Sequence, residues 1–245
     1  MTENKRISIR SVSVLSTMLV LAVISLLFPL VAVAGDMVSE TRPVGVFHSV
    51  DFKGHGDLHI TQEKNSGLRL EGERDILNKY ETYVDNGRLV IEMKSWRKLW
   101  RPKSITAYIT MPEVRGLKIS GSGTIIGETR ITSERLSLKV SGSGDIDLEV
   151  EANKIESRIS GSGEIGLRGM AKDHEYEMSG SGDLKCYGLS TERSRIKISG
   201  SGKCEVSVSN QLDVKISGSG KVYYRGNPTA VNQKISGSGT IRKVK

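Results

Sequence analysis

Ser120-Gly121-Ser122-Gly123 is the first of seven identical SGSG tetrapeptides, which recur from Ser141, Ser160, Ser179, Ser199, Ser217 and Ser236. The intervals are 21, 19, 19, 20, 18 and 19 residues. Self-similarity at a period near twenty is the mark of a chain coiled into stacked rungs, each burying its apolar face only against its neighbours. The flanks agree. Ile119, Val140, Ile159, Met178, Ile198, Ile216 and Ile235 stand just before the motif, and Ile125, Ile146, Ile165, Leu184, Cys204, Val222 and Ile241 stand two places after it. Apolar and polar residues alternate on both sides, which is the pattern of strands with one face inward. The sequence therefore predicts an all-β fold, a parallel β-helix-like solenoid of about 19-residue rungs, in which SGSG is the corner joining two strands. If the alternation runs through the corner, both glycines face the interior and both serines face solvent.

Working outward, residues 35–116 read as an N-terminal β-rich cap containing a degenerate first rung, continuous with the repeat array at 117–245. Gly54-His55-Gly56 imitates the motif, with Lys53 and His55 in the serine places. Glu73 to Tyr80 is the one short helix expected, and Asp85-Asn86-Gly87-Arg88 is a hairpin turn between apolar strands. Ile105 to Met111 is a further strand, stopped by Pro112. Ahead of the cap, Lys5, Arg6 and Arg10 precede an apolar run ending in Ala32-Val33-Ala34. This is the form of a cleaved signal peptide over residues 1–34, and it places the protein in the periplasm, at the cell surface or outside the cell.

Two further features point to binding. Residues 35–182 hold 21 Lys and Arg against 23 Asp and Glu, whereas residues 183–245 hold 12 against 4, so the C-terminal end is basic. Trp96-Arg97-Lys98-Leu99-Trp100-Arg101-Pro102-Lys103 contains both tryptophans of the chain among four cations. Aromatic faces beside cations can stack on sugar rings while the charges meet phosphate or carboxylate. The expected ligand contacts are Trp96, Arg97, Lys98, Trp100, Arg101 and Lys103, then Lys203, Lys221 and Arg225 on the last rungs. The expected partners are anionic glycan, lipopolysaccharide or another envelope protein, with membrane contact only peripheral and no nucleic acid.

The tandem SGSG rungs, the Met111-Pro112 entry into the first of them and the exported N-terminal rung resemble the putative auto-transporter adhesin, head GIN domain family, over roughly Val46 to Ile241. The resemblance implies a β-solenoid on an exported bacterial protein with a role in adhesion. Because the sequence ends just after its last repeat, no outer-membrane barrel is expected in it.

Chemistry is less well supported. Asp145, Glu164 and Asp183 share one outward column at a spacing suited to a carboxylate pair, so the alternative reading is a polysaccharide-cleaving enzyme. No histidine or arginine cluster accompanies them, and the expectation is a protein without enzymatic activity, metal or cofactor. His55, Asp57 and His59 lie along one strand, with the outer two about 13 Å apart, too far for easy convergence on one ion. Cys186 and Cys204 fall in different columns of successive rungs and are expected to remain free thiols. Association of the chain end to end is a third reading, from a structural class.

Overall fold

The computed structural model describes residues 36–94 and 104–245. The strands are β1 (Met37–Thr41), β2 (Ser49–Gly54), β3 (Gly56–Gln62), β4 (Gly67–Glu73), β5 (Tyr80–Asp85), β6 (Arg88–Met93), β7 (Ile105–Met111), β8 (Gly116–Gly121), β9 (Thr124–Gly127), β10 (Ile131–Gly142), β11 (Asp145–Gly161), β12 (Glu164–Gly180), β13 (Asp183–Gly200), β14 (Lys203–Gly218), β15 (Lys221–Arg225), β16 (Ala230–Ser236) and β17 (Thr240–Lys243). A single helical turn, α1 (Arg74–Leu77), buries Ile76 and Leu77. It is shorter than the sequence suggested, because the chain turns at Asn78 and re-enters the sheet as β5 at Tyr80.

The rungs stack in parallel and in register on the repeat: Ser141 lies beside Ser160, Ser160 beside Ser179, Ser179 beside Ser199 and Ser199 beside Ser217. Rungs in such a stack are about 4.8 Å apart. Irregular intervals are absorbed by bulges. Tyr187, Gly188 and Leu189 of β13 lie between its pairings at Cys186 and Ser190, where β14 passes directly from Val206 to Ser207. The inward columns are tightly enclosed: Ile119, Val140, Ile159, Met178, Ile198 and Ile216 are all buried. Each such side chain contributes about 1.5–3 kcal/mol relative to exposure. Ile235 of the same column is 41% exposed, since among the described residues no strand pairs with β16 on the side away from β14.

The corner departs from simple alternation. Only the second glycine faces the interior. A Cβ on Gly163 would lie 2.1 Å from the Gly144 carbonyl oxygen and 2.6 Å from Val140 Cγ1. The first glycine is at most half-buried, and its role is conformational: across the seven copies its φ runs from +113° to +139°, a region closed to L side chains. A Cβ there would point along the stack into the rung below. The serines are exposed as expected. The corners are joined by main-chain bonds, such as the Ser162 amide donating to the Gly142 carbonyl at 2.9 Å. Among the described residues no SGSG hydroxyl has a hydrogen-bond partner.

At the other end, β2 and β3 form the degenerate rung, pairing in parallel with β8 and β9 so that Gly54 lies beside Gly121. Beyond it lies a rung that comes later in sequence: β6 pairs in parallel with β2, and β7 with β3. On that outermost rung β5 packs antiparallel against β6 and β4 antiparallel against β7, with β1 on the edge of β4. The β5–β6 turn carries Asn86 and Gly87 at φ +48° and +70°, as an Asn-Gly hairpin requires.

Candidate functional site: the basic outer faces

On the sheet that follows the corners, one outward column carries Asp145, Glu164, Asp183, Lys203 and Lys221 on successive rungs. Its acidic members are occupied by the stack. Asp145 Oδ1 accepts from the Glu164 amide at 2.9 Å, Asp183 Oδ1 accepts from the Lys203 amide at 2.8 Å, and Glu164 pairs with Lys185 at 2.7 Å. These carboxylates cap backbone amides and balance lysines, which is not the setting of an acid and nucleophile pair.

Towards the last rungs the column turns basic and gains aromatic neighbours. Lys203 is ion-paired with Glu205, and that hydrogen bond raises its pKa. Its Nζ also lies 5.6 Å from the centre of the Tyr223 ring. The Arg225 guanidinium sits 4.2 Å from the centre of the Tyr187 ring, a geometry in which ring and cation attract. Tyr187 stands in the β13 bulge, where Ser207 Oγ donates to its carbonyl at 2.8 Å, and partial burial raises its phenol pKa. Among the described residues Lys221 and Arg225 have no acidic partner. Lys203, Lys221 and Arg225 are thus brought together on one face, with Tyr187 and Tyr223, which the repeat pattern does not mark because one lies in a bulge and the other in a polar column.

The sheet that precedes the corners carries a second basic column, unnoticed in the sequence although its signal is plain: the residue two places before SGSG is Lys118, Lys139, Arg158, Glu177, Lys197, Lys215 and Lys234 in the seven copies. Register places them side by side. From Val214 to Lys245 the chain holds seven Lys and Arg and no Asp or Glu.

Residues 46–228 match the family described as putative auto-transporter adhesin, head GIN domain. This chain belongs to that family. Solved structures similar to the head GIN chain include a putative adhesin from Bacteroides fragilis, with 22% identity and a TM-score of 0.81 over 85% of this chain and 97% of that one. A putative lipid binding protein from Parabacteroides distasonis has 24% identity and a TM-score of 0.72 over 86% and 98%. A putative adhesin from the same organism has 24% identity and a TM-score of 0.71 over the same shares. At these identities the likeness is one of fold. No curated protein matches the chain. Family and neighbours are named for adhesion or binding, and none of them for an enzyme.

The remaining candidates of this head GIN protein divide between surface and core. Trp96, Arg97, Lys98, Trp100, Arg101 and Lys103 lie outside the described residues, as do residues 1–34, which the sequence reads as a signal peptide. The flanks of the Trp-rich stretch are described: Lys94 follows β6, which pairs with β2, and Ser104 precedes β7, which pairs with β3. His59 Nδ1 lies 2.5 Å from Glu128 Oε1, and its ring stacks on Tyr108. Cys186 and Cys204 are free and buried, beside Val206 and Leu184 respectively. A buried pair escaped the sequence reading: Ser157 Oγ and His174 Nε2 are 2.9 Å apart in the core, and burial lowers the imidazole pKa to about 4. Hydroxyl and imidazole are enclosed by the sheet, so they satisfy each other rather than meet a substrate.

Proposed function

We propose that this head GIN protein is an exported, non-enzymatic adhesion scaffold that binds an anionic component of the cell envelope, a glycan or lipopolysaccharide. The observation that carries this reading is the run from Val214 to Lys245, seven cations without one acid, with Tyr223 in the same run and Tyr187 of β13 beside Arg225. Elsewhere in the stack charge is balanced rung to rung, as in Arg193 with Asp173 and Arg168 with Asp147. Towards the C-terminal end that balance stops, and an uncompensated field of one sign attracts a partner of the other. Lys203, Lys221 and Arg225 are the contacts on this face. The Trp-rich stretch, through Trp96, Trp100 and the cations Arg97, Lys98, Arg101 and Lys103, is a second set of contacts in this proposal. Family membership and the adhesin-like neighbours support a binding role, and the targeting pattern of residues 1–34 supports export.

The test is binding of purified protein to an array of acidic and neutral glycans and lipopolysaccharide. Acidic ligands should be retained selectively, and retention should fall in Lys203→Gln/Lys221→Gln/Arg225→Gln and in Trp96→Ala/Trp100→Ala. Equal retention of neutral and acidic ligands would overturn the reading. So would release of new reducing ends from a bound polysaccharide, which would mark an enzyme.

A further inference from the structure

We propose that the column preceding the corners, distinct from the column of Lys203 and Lys221 that follows them, is a second binding site, which takes a linear acidic polysaccharide lying along the axis of the solenoid. It rests on the same anionic-glycan reading and shares Lys215 and Lys234 with the basic C-terminal run, but not the column that carries Lys203 and Lys221. Lys139, Arg158, Lys197, Lys215 and Lys234 stand in single file, interrupted only by Glu177. From Lys139 to Lys234 is five rung steps, about 24 Å at the usual strand spacing. Glu177 is shared by its neighbours, 3.2 Å from Arg158 and 3.0 Å from Lys197. Lys139, Lys215 and Lys234 have no acidic partner among the described residues.

Along the file from Lys139 to Lys215 runs a groove of about 610 Å³, walled on one side by those cations and Glu177 and on the other by Ser141, Ser160, Ser179, Ser199 and Ser217. These hydroxyls are exposed and unengaged among the described residues, and each can both donate and accept. One charge and one hydroxyl per rung, repeated at a fixed pitch, match a polymer that presents a carboxylate and ring hydroxyls at regular intervals. The shape of the field selects a thread over a surface. On the side away from the serines the next outward column is mixed, with Glu156, Glu175, Arg195 and Asp213 on successive rungs, and Glu156 and Glu175 are paired with Lys154, so the uncompensated positive charge is confined to one narrow file and not spread over a surface. The polymer is a glycan rather than an acidic peptide, because the backbone groups of this face are spent in the ladder, and an added strand needs a free edge for its main-chain bonds.

The experiment measures binding of size-defined oligogalacturonates to the full-length protein by fluorescence anisotropy at low salt. Affinity should rise with length until the chain spans the file and then level off. Lys139→Gln/Lys215→Gln/Lys234→Gln should weaken the long oligomers roughly tenfold. Glu177→Gln, which frees Arg158 and Lys197, should tighten them roughly threefold. All four positions lie on the outer face, and circular dichroism verifies that each variant keeps its strands. If the triple variant binds normally while Lys203→Gln/Lys221→Gln does not, the groove proposal falls and the first site stands. If poly-glutamate of equal length binds as tightly, the polysaccharide assignment falls. If no acidic polymer binds to either face, both readings fall.

Discussion

Replacing Gly161 by alanine adds one methyl group and should cost several kcal/mol. The residue has φ +129°, and an ideal Cβ would lie 2.3 Å from the Gly142 carbonyl oxygen of the rung below. Strain of a non-glycine residue in such a region is about 1–3 kcal/mol. Overpacking against backbone that cannot swing away adds about 1–3 kcal/mol. The sum, about 2–6 kcal/mol, corresponds to a Tm loss of about 4–24 °C at 2–4 °C per kcal/mol for a domain of this size. Gly166 supplies the comparison. It lies on the same rung with ordinary backbone, and the nearest atom to its ideal Cβ is Asp147 Oδ1 at 3.5 Å, so Gly166→Ala should stay within about 0.5 kcal/mol of the parent. Both are measured by thermal and urea unfolding. If Gly161→Ala is as stable as the parent, or Gly166→Ala is equally damaging, the assignment of SGSG as a corner held by conformation and close approach is wrong.

Three other results are expected. His174 has a folded pKa lowered to about 4 against 6.5 when unfolded, so the unfolded chain takes up the proton first. Stability should therefore drop by roughly 3 kcal/mol as pH falls from 6.5 to below 4, and unfolding of Ser157→Ala/His174→Leu as a function of pH should lack that component. Cys186 and Cys204, with thiol pKa values pushed up by burial, should resist a thiol reagent until denaturant is added, and reductant should leave Tm unchanged. Ile159→Ala, inside the stack, should lose about 2–5 kcal/mol in urea unfolding, whereas Ile235→Ala on the uncovered last rung should lose under about 1 kcal/mol.

Much of the fold was legible because each rung repeats the same physical problem. A strand that buries alternate residues must turn within a few atoms of an identical turn below it, and only SGSG-like sequences do so at every copy, hence the period and the columns. Less visible was the separate work of the two glycines, since alternation cannot distinguish a residue facing inward from one chosen for its φ. The order of rungs at the N-terminal end was also hidden. β6 and β7 follow β2 and β3 in sequence yet stack outside them, a pairing between segments with no shared motif. On the surface, Lys203, Lys221 and Arg225 could be read from charge bias, but Tyr187 could not, because its place beside Arg225 depends on a bulge. The Lys139 to Lys234 file stands in the sequence two places before each SGSG, but an outward polar column that tolerates Glu177 looks like ordinary surface until register aligns it. His174 looked like any alternating residue until its inward column was known.

The central claim is that the uncompensated cations of this head GIN protein bind an anionic glycan, and the most direct measurement is a calorimetric titration with an acidic polysaccharide and its neutral counterpart at low and high salt. The account predicts saturable binding of the acidic polymer that weakens as ionic strength rises and the Debye length shrinks from about 30 Å at 0.01 M to about 8 Å at 0.15 M, with no heat from the neutral one. Binding of the neutral polymer with equal affinity, or binding of the acidic one indifferent to salt, would contradict it.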